Sequence, residues 1–199
     1  MNSISKTFKL LFGILLLSNI ILIAFLSYFL WNKHEEALQT ARIDIKDPSG
    51  NNRVVISNAD QIPPPIIKGK SYKRMMTPAG LIFYDKNGDE RGGIAISEHE
   101  GMNINAIAFD YQNADAIGIY AQDNQKNNYF KAGLTINDKD LSGKPGYNVN
   151  RINLITENGN SALVMKDPNE VPRLVLKVDS LGNPSIEMYH ADGKLKWKQ

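Results

Sequence analysis

The sequence predicts an all-β antiparallel meander, closed as a barrel or folded as a sandwich, carried on one N-terminal transmembrane helix. Three observations predict it. An uncharged apolar run stands near the N-terminus. Period-2 alternation of apolar and polar residues begins near Arg42 and continues to the C-terminus. Short corners rich in Asp, Asn and Gly punctuate that alternation at near-regular spacing.

The apolar run is "LLFGILLLSNIILIAFLSYFL", Leu10 to Leu30. As a helix it spans roughly 31 Å, matching a hydrocarbon core of about 30 Å. A helix also pairs its backbone polar groups internally, as lipid demands. Tyr28 and Trp31 fall at its end, where amphipathic rings favour the membrane interface. A cleaved signal peptide has a shorter apolar region followed by small residues; here the bulky, then charged "SYFLWNKHEE" follows. Residues 10–31 therefore read as an uncleaved, single-pass signal-anchor, with the lipid bilayer as its partner. The tail, residues 1–9, carries Lys6 and Lys9 and no acid, whereas Glu35 and Glu36 offset Lys33 on the far flank. That bias puts the N-terminus in the cytoplasm and the C-terminal domain outside it, in a periplasm or at the cell surface. Asn19 lies near mid-membrane, where an amide is costly unless paired. It would either meet a partner helix in a homo-oligomer or bond within its own helix.

Residues 32–42 are good helix formers without Gly or Pro and read as a helical stalk. The β domain follows, residues 43–199. Strands are read in "RIDIK", "RVVIS", "GLIFYD", "GGIAIS", "NINAIAFD", "DAIGIYAQ", "FKAGLTIN", "VNRINLI", "NSALVMK", "VPRLVLKV" and "PSIEMY". The corners between them share a form: "DPSG" at 47–50, "DKNG" at 85–88, "TENG" at 156–159, "DSLG" at 179–182 and "HADG" at 190–193, with "DPNE" at 167–170 lacking the glycine. A type I turn favours Asp first and Gly fourth, and a left-handed fourth residue such as Gly50 or Gly88 completes a bulge between antiparallel strands. In the C-terminal third the turns are read as starting at Thr156, Asp167, Asp179 and His190. A spacing near 40 residues between some corners also admits a small β-propeller, although about three strands fall in each period where a blade needs four. Two loops break the rhythm, residues 58–78 (Pro-rich, then basic) and residues 122–129 (polar).

An Asp followed six residues later by Arg overlays the corners, as Asp47/Arg53, Asp85/Arg91 and Asp167/Arg173. In a bulged hairpin the two fall on one face, a diagonal apart, so a contact is expected at each rim. Its role is architectural, a turn and ion-pair motif that helps fix register.

Chemistry is sparse. In "DKNGDERGG", Asp85, Asn87 and Asp89 match the first, third and fifth positions of a calcium-binding EF-hand loop. Glu90 and Ile96 stand where that loop needs Gly and Glu, so the stretch reads as a turn. There is no cysteine, which excludes disulfides, thiolate zinc sites and a Cys nucleophile. The three histidines, His34, His99 and His190, are scattered, and no H-E-x-x-H, G-x-S-x-G or phosphate-binding glycine loop occurs. No catalytic residue, metal ligand or cofactor is nominated. A net charge of +2 gives no footprint for nucleic acid.

The stretches "RIDIKDPSGNNRVVISN", "AGLIFYDKNGDERGG" and "PRLVLKVDSLGNPSIEMYHADGK" resemble a group of uncharacterised bacterial single-pass membrane-anchored β-rich proteins. The resemblance covers most of the chain after Arg42. It implies a place in the cell envelope and brings no established activity with it. The functional expectation is a non-enzymatic binding or scaffold module with a protein partner in the envelope. The alternative is an envelope glycan hydrolase using paired carboxylates in an aromatic-lined cleft.

Overall fold

A computed structural model describes residues 5–31 and 37–199. The chain divides into two compact units, residues 1–40 and 41–199. In the first, helix α1 (Lys6–Trp31) has 26 residues, a length and composition that suffice to cross a membrane. It starts four residues before the apolar run because Ser5 caps it, its Oγ accepting from the Phe8 N–H at 3.2 Å. Ser18 Oγ and Asn19 Nδ2 both donate to the Leu15 carbonyl at 2.8 Å, so the amide is paired within its own helix. Tyr28 and Trp31 are exposed in its last turns. Of the expected stalk, residues 32–36 lie outside the described residues, and residues 37–41 are not helical. The physical reason is length. A segment this short needs a packing surface to stay helical, and its one large apolar side chain, Leu38, is exposed.

The second unit is antiparallel β-sheet. Its strands are β1 (Arg42–Lys46), β2 (Asn52–Ser57), β3 (Ile66–Ile67), β4 (Lys70–Ser71), β5 (Ala79–Tyr84), β6 (Glu90–His99), β7 (Met102–Asp110), β8 (Asp115–Asn124), β9 (Tyr129–Lys139), β10 (Asn148–Glu157), β11 (Asn160–Lys166), β12 (Pro172–Val178), β13 (Pro184–Tyr189) and β14 (Leu195–Lys198). Strands β3 and β4 form a small hairpin inside the Pro-rich segment, turning on Lys68 and Gly69, both at positive φ. The other twelve join in one sheet in chain order, and no pairing joins β1 to β14 among the described residues. This is the meander that the alternation predicts, without hydrogen-bonded barrel closure.

One corner recurs. At Asp47, Asp85, Asp167 and Asp179 the carbonyl accepts from the N–H three residues on, at 2.9–3.0 Å. The same Asp's Oδ1 accepts from the N–H groups two and four residues on. The fourth residue, Gly50, Gly88, Glu170 or Gly182, has positive φ, and His190 to Gly193 repeats the backbone pattern. Thr156 departs from the expectation. Strand β10 runs on to Glu157, paired with Asn160, and Asn158 and Gly159 make a two-residue turn with positive φ at both. Asn-Gly is the strongest signal for that tight turn and overrides the four-residue form.

Burial is uneven. Among the described residues the buried apolar side chains are Val55, Ile82 and Tyr84, with Ile62 packed against them. All three lie on one face of the sheet at its β2–β5 end.

A candidate interaction face

Residues directly opposite on neighbouring antiparallel strands share a face. Tracing the register across the sheet joins Ile43, Ile56, Leu81, Ile94, Ile107, Ile119, Leu134, Leu154, Leu163, Leu176 and Ile186 in one unbroken aliphatic row. A second row lies two residues away on the same face: Ile45, Val54, Phe83, Gly92, Phe109, Ile117, Ile136, Ile152, Met165, Leu174, Met188 and Trp197. Neither row contains a charge. Gly92 is the one gap, and the rings of Phe83 and Phe109, from the flanking strands, stack across it with centroids 6.3 Å apart.

These rows are not a core. Ile119 is 58% exposed, Phe109 56% and Leu154 54%, and apart from the buried Gly92 no member of either row is buried. Strand β8 shows the inversion plainly: Ile117 and Ile119 are exposed, while Gly118 and Tyr120, on the opposite face, are half-buried. Over β6 to β11 the face holds an open groove of about 810 Å³, lined by Ile94, Ile107, Ile119, Leu134 and Leu154 among others. Beyond Ile96 the face turns polar at Glu98, Asn103 and Asp123, where Asn103 Nδ2 donates to Asp123 Oδ2 at 3.1 Å. That gives an apolar centre with a polar rim, the anatomy of an interface.

The opposite face is built of small residues, including Gly80, Gly93, Ala95, Ala106, Ala108 and Gly118. The chain covers part of it with its own loops. Residues 58–78 strap its β2–β6 end: Arg74 Nε donates to the Pro63 carbonyl at 2.7 Å, and Arg74 Nη2 pairs with Glu90 at 2.5 Å, both side chains largely out of water. The Gly69 N–H donates to Asp89 Oδ1 at 2.7 Å, and Lys68 Nζ reaches the Gly143 carbonyl at 3.3 Å. Burial there pushes the Tyr84 phenol up to about 12. Among the described residues of the β unit, loops thus cover part of one face and leave the aliphatic rows of the other exposed. The repeated "AGL" of 79–81 and 132–134 fits this division, placing Gly80 and Gly133 on the small-residue face and Leu81 and Leu134 in the aliphatic row.

The Asp–Arg motif divides. Arg91 Nη2 donates to Asp85 Oδ2 at 2.5 Å, and Arg173 Nη1 to Asp167 Oδ2 at 3.3 Å. Arg53 differs: its Nε donates to the Tyr84 carbonyl at 3.3 Å, and among the described residues it makes no ion pair with Asp47. The reason lies one strand over. Tyr84 sits at a register shift between β5 and β6, which disturbs the ladder there. Arg151 and Arg173 do the same at the shifts ending β11 and β13, donating to the Lys166 and Tyr189 carbonyls. These arginines pin the next corner as much as their own. At Asp85, burial pushes the carboxyl's pKa up, but Arg91 and the N–H groups of Asn87 and Asp89 outweigh it and hold it below the usual range. Its oxygens, and Asp89 Oδ1, are occupied by protein donors.

A carboxyl pair outside the sequence motifs stands at the β7–β8 corner. Burial, then the adjacent Asp115, pushes Asp110 up to about 8. Between them Asn113 is 1% exposed; its Nδ2 donates to the Tyr147 carbonyl at 2.7 Å, and its carbonyl accepts from Gly146 N–H at 2.7 Å. The segment "DYQNAD" lacks the glycine that marks the other corners, so the only signal was its paired acids. No family model, no curated protein and no solved structure matches this chain.

Proposed function

We propose that this chain is a single-pass, membrane-anchored binding or scaffold module of a bacterial cell envelope, its β domain extracytoplasmic and the apolar sheet face its working surface. One observation carries the reading: two uncharged rows run the width of the sheet, and among the described residues of the β unit most of their side chains are exposed. Monomeric soluble proteins seldom expose contiguous apolar patches beyond a few hundred Å², and larger ones mark interaction sites. An exposed apolar face suits this reading better than a closed barrel, sandwich or propeller, each of which would enclose it. The hydrolase alternative finds less support. Asp110 and Asp115 stand directly opposite on β7 and β8, and Asp110 is largely buried and held protonated well above the usual carboxylate range, which does not suit the ionised carboxylate that a glycosidase pair needs. Phe83 and Phe109 stack with no carboxylate between them.

The test is site-specific photo-cross-linking in native membranes. A photoreactive residue at Ile119 is expected to give a discrete adduct, and one at Lys196, exposed on β14, to give none. Absence of any adduct from Ile119, Ile107 and Leu154 would end the reading. Orientation is checked separately by labelling a Lys177→Cys variant on intact cells with an impermeant maleimide, in a chain that has no cysteine of its own.

A further inference from the structure

Taking the apolar face as the working surface, we infer that its occupant is a second copy of this chain, packed face to face as the missing layer of a two-layer β structure. Domains bury a sheet's apolar side against another layer, and open sheets seldom exceed about ten strands without curling or splitting into two packed sheets. This sheet has twelve strands, and among the described residues each packs chiefly against its neighbours in the ladder.

The face matches itself. Two sheets pack about 10 Å apart through interdigitated aliphatic side chains from their inner faces, which is what the two rows present. A partner of different sequence is ordinarily selected by complementary charge, and neither row carries any. Two identical uncharged aliphatic faces satisfy each other under two-fold symmetry without further coding.

The area is sufficient. Eleven strands about 4.8 Å apart carry the first row across roughly 50 Å, and two rows about 7 Å apart, with their side-chain margins, cover a band roughly 13–15 Å high. Each copy then contributes about 650–750 Å², and the pair buries about 1,300–1,500 Å², within the range of stable interfaces. The gap at Gly92 and the groove beside Ile119 and Leu134 give the opposing side chains relief to enter.

The experiment uses the full chain, purified in detergent, with its mass read by multi-angle light scattering. A multimer is expected. The double variant Ile107→Asp/Ile119→Asp, on residues already exposed, should keep the β circular dichroism and weaken self-association at least about a hundredfold, since carboxylates buried unpaired are strongly disfavoured. The variant Asn19→Leu should leave the mass unchanged. A multimer that survives the double variant, or that Asn19→Leu disperses, overturns the inference by placing the contact elsewhere. A monomer with lipid or another protein on the face, found by native mass spectrometry, overturns the inference and leaves the binding-module reading standing. A monomer whose Ile119→Cys reacts with maleimide as fast as Lys196→Cys sinks both.

Discussion

Replacing Gly92 by alanine should damage the sheet more than its position in a strand suggests. Its φ is +119°, in a region that side chains rarely occupy. An added Cβ would lie 2.1 Å from the Ala108 carbonyl oxygen and 2.8 Å from the Phe109 Cα. Both are backbone atoms of β7, so no side chain can swing away. Strained backbone costs about 1–3 kcal/mol and a clash that must shift main chain a further 1–3 kcal/mol or so, which puts Gly92→Ala near 3–5 kcal/mol. Two controls separate the contributions. Gly50→Ala has φ +87° and nothing within 4 Å, so it tests conformation alone and should cost about 1 kcal/mol. Gly118→Ala lies outside the left-handed region, and its nearest atom is Thr135 Oγ1 at 3.6 Å, an ordinary contact. It should be neutral or stabilise by about 0.4–1 kcal/mol through the unfolded chain. The assay is urea unfolding of the full chain in micelles, followed by the β signal in circular dichroism. A Gly92→Ala variant as stable as Gly118→Ala would refute the close approach of β6 and β7 on which the Phe83–Phe109 stack depends.

Two other perturbations test the corners. The folded chain holds a proton on the Asp110–Asp115 pair that the unfolded chain has released between about pH 4 and about pH 8. Stability therefore falls as pH rises through that window, by at most about 1.4 kcal/mol per pH unit. Asp110→Asn should flatten this slope in thermal melts, and an unchanged slope would assign the proton elsewhere. At Asp85, replacement by Ala removes the acceptor for two backbone N–H groups as well as the Arg91 pair and should cost about 1–2 kcal/mol. Asp85→Asn keeps an oxygen for the backbone and loses only the ion pair, about 1 kcal/mol or less. Equal losses in urea titrations would show that the Arg, not the turn, is what Asp85 serves.

The strands and most corners were legible because their signals are local. Alternation in "DAIGIYAQ" fixes which residues share a face, and Asp first with Gly fourth fixes how "DPSG" and "DKNG" bend. Thr156 misled because the Asn-Gly signal one step later competes with the longer form. Arg53 misled because its acceptor belongs to a strand 31 residues away, and no spacing within one hairpin reports that. The rows were invisible for the same reason: Ile119 meets Leu134 and Leu134 meets Leu154 only once register is known. Alternation also leaves undecided which face is inside. In β8 Ile117 and Ile119 are exposed while Gly118 is half-buried, an orientation that alternation alone does not report.

The distribution of charge narrows how such a sheet can associate. A twelve-stranded meander offers two free edges and one free apolar face. Edges that accept strands generate open-ended assemblies, whereas a self-complementary face pairs once and closes. Each edge strand carries charge on the face away from the aliphatic rows. On β1, Asp44 sits on the face away from the aliphatic rows and is bonded by Arg42. Strand β14 is four residues long, and its Lys198 pairs with Glu187 at 2.7 Å on that same far face. Inward charges and short edge strands are how sheets resist strand addition. The aliphatic rows, by contrast, carry no charge to hold a second copy off. The proposed anchoring would sharpen the difference, because copies held in one membrane would meet at a raised effective concentration. A face of moderate affinity would then suffice for the proposed pairing, and closure after one partner would keep an exposed aliphatic sheet from becoming a fibre.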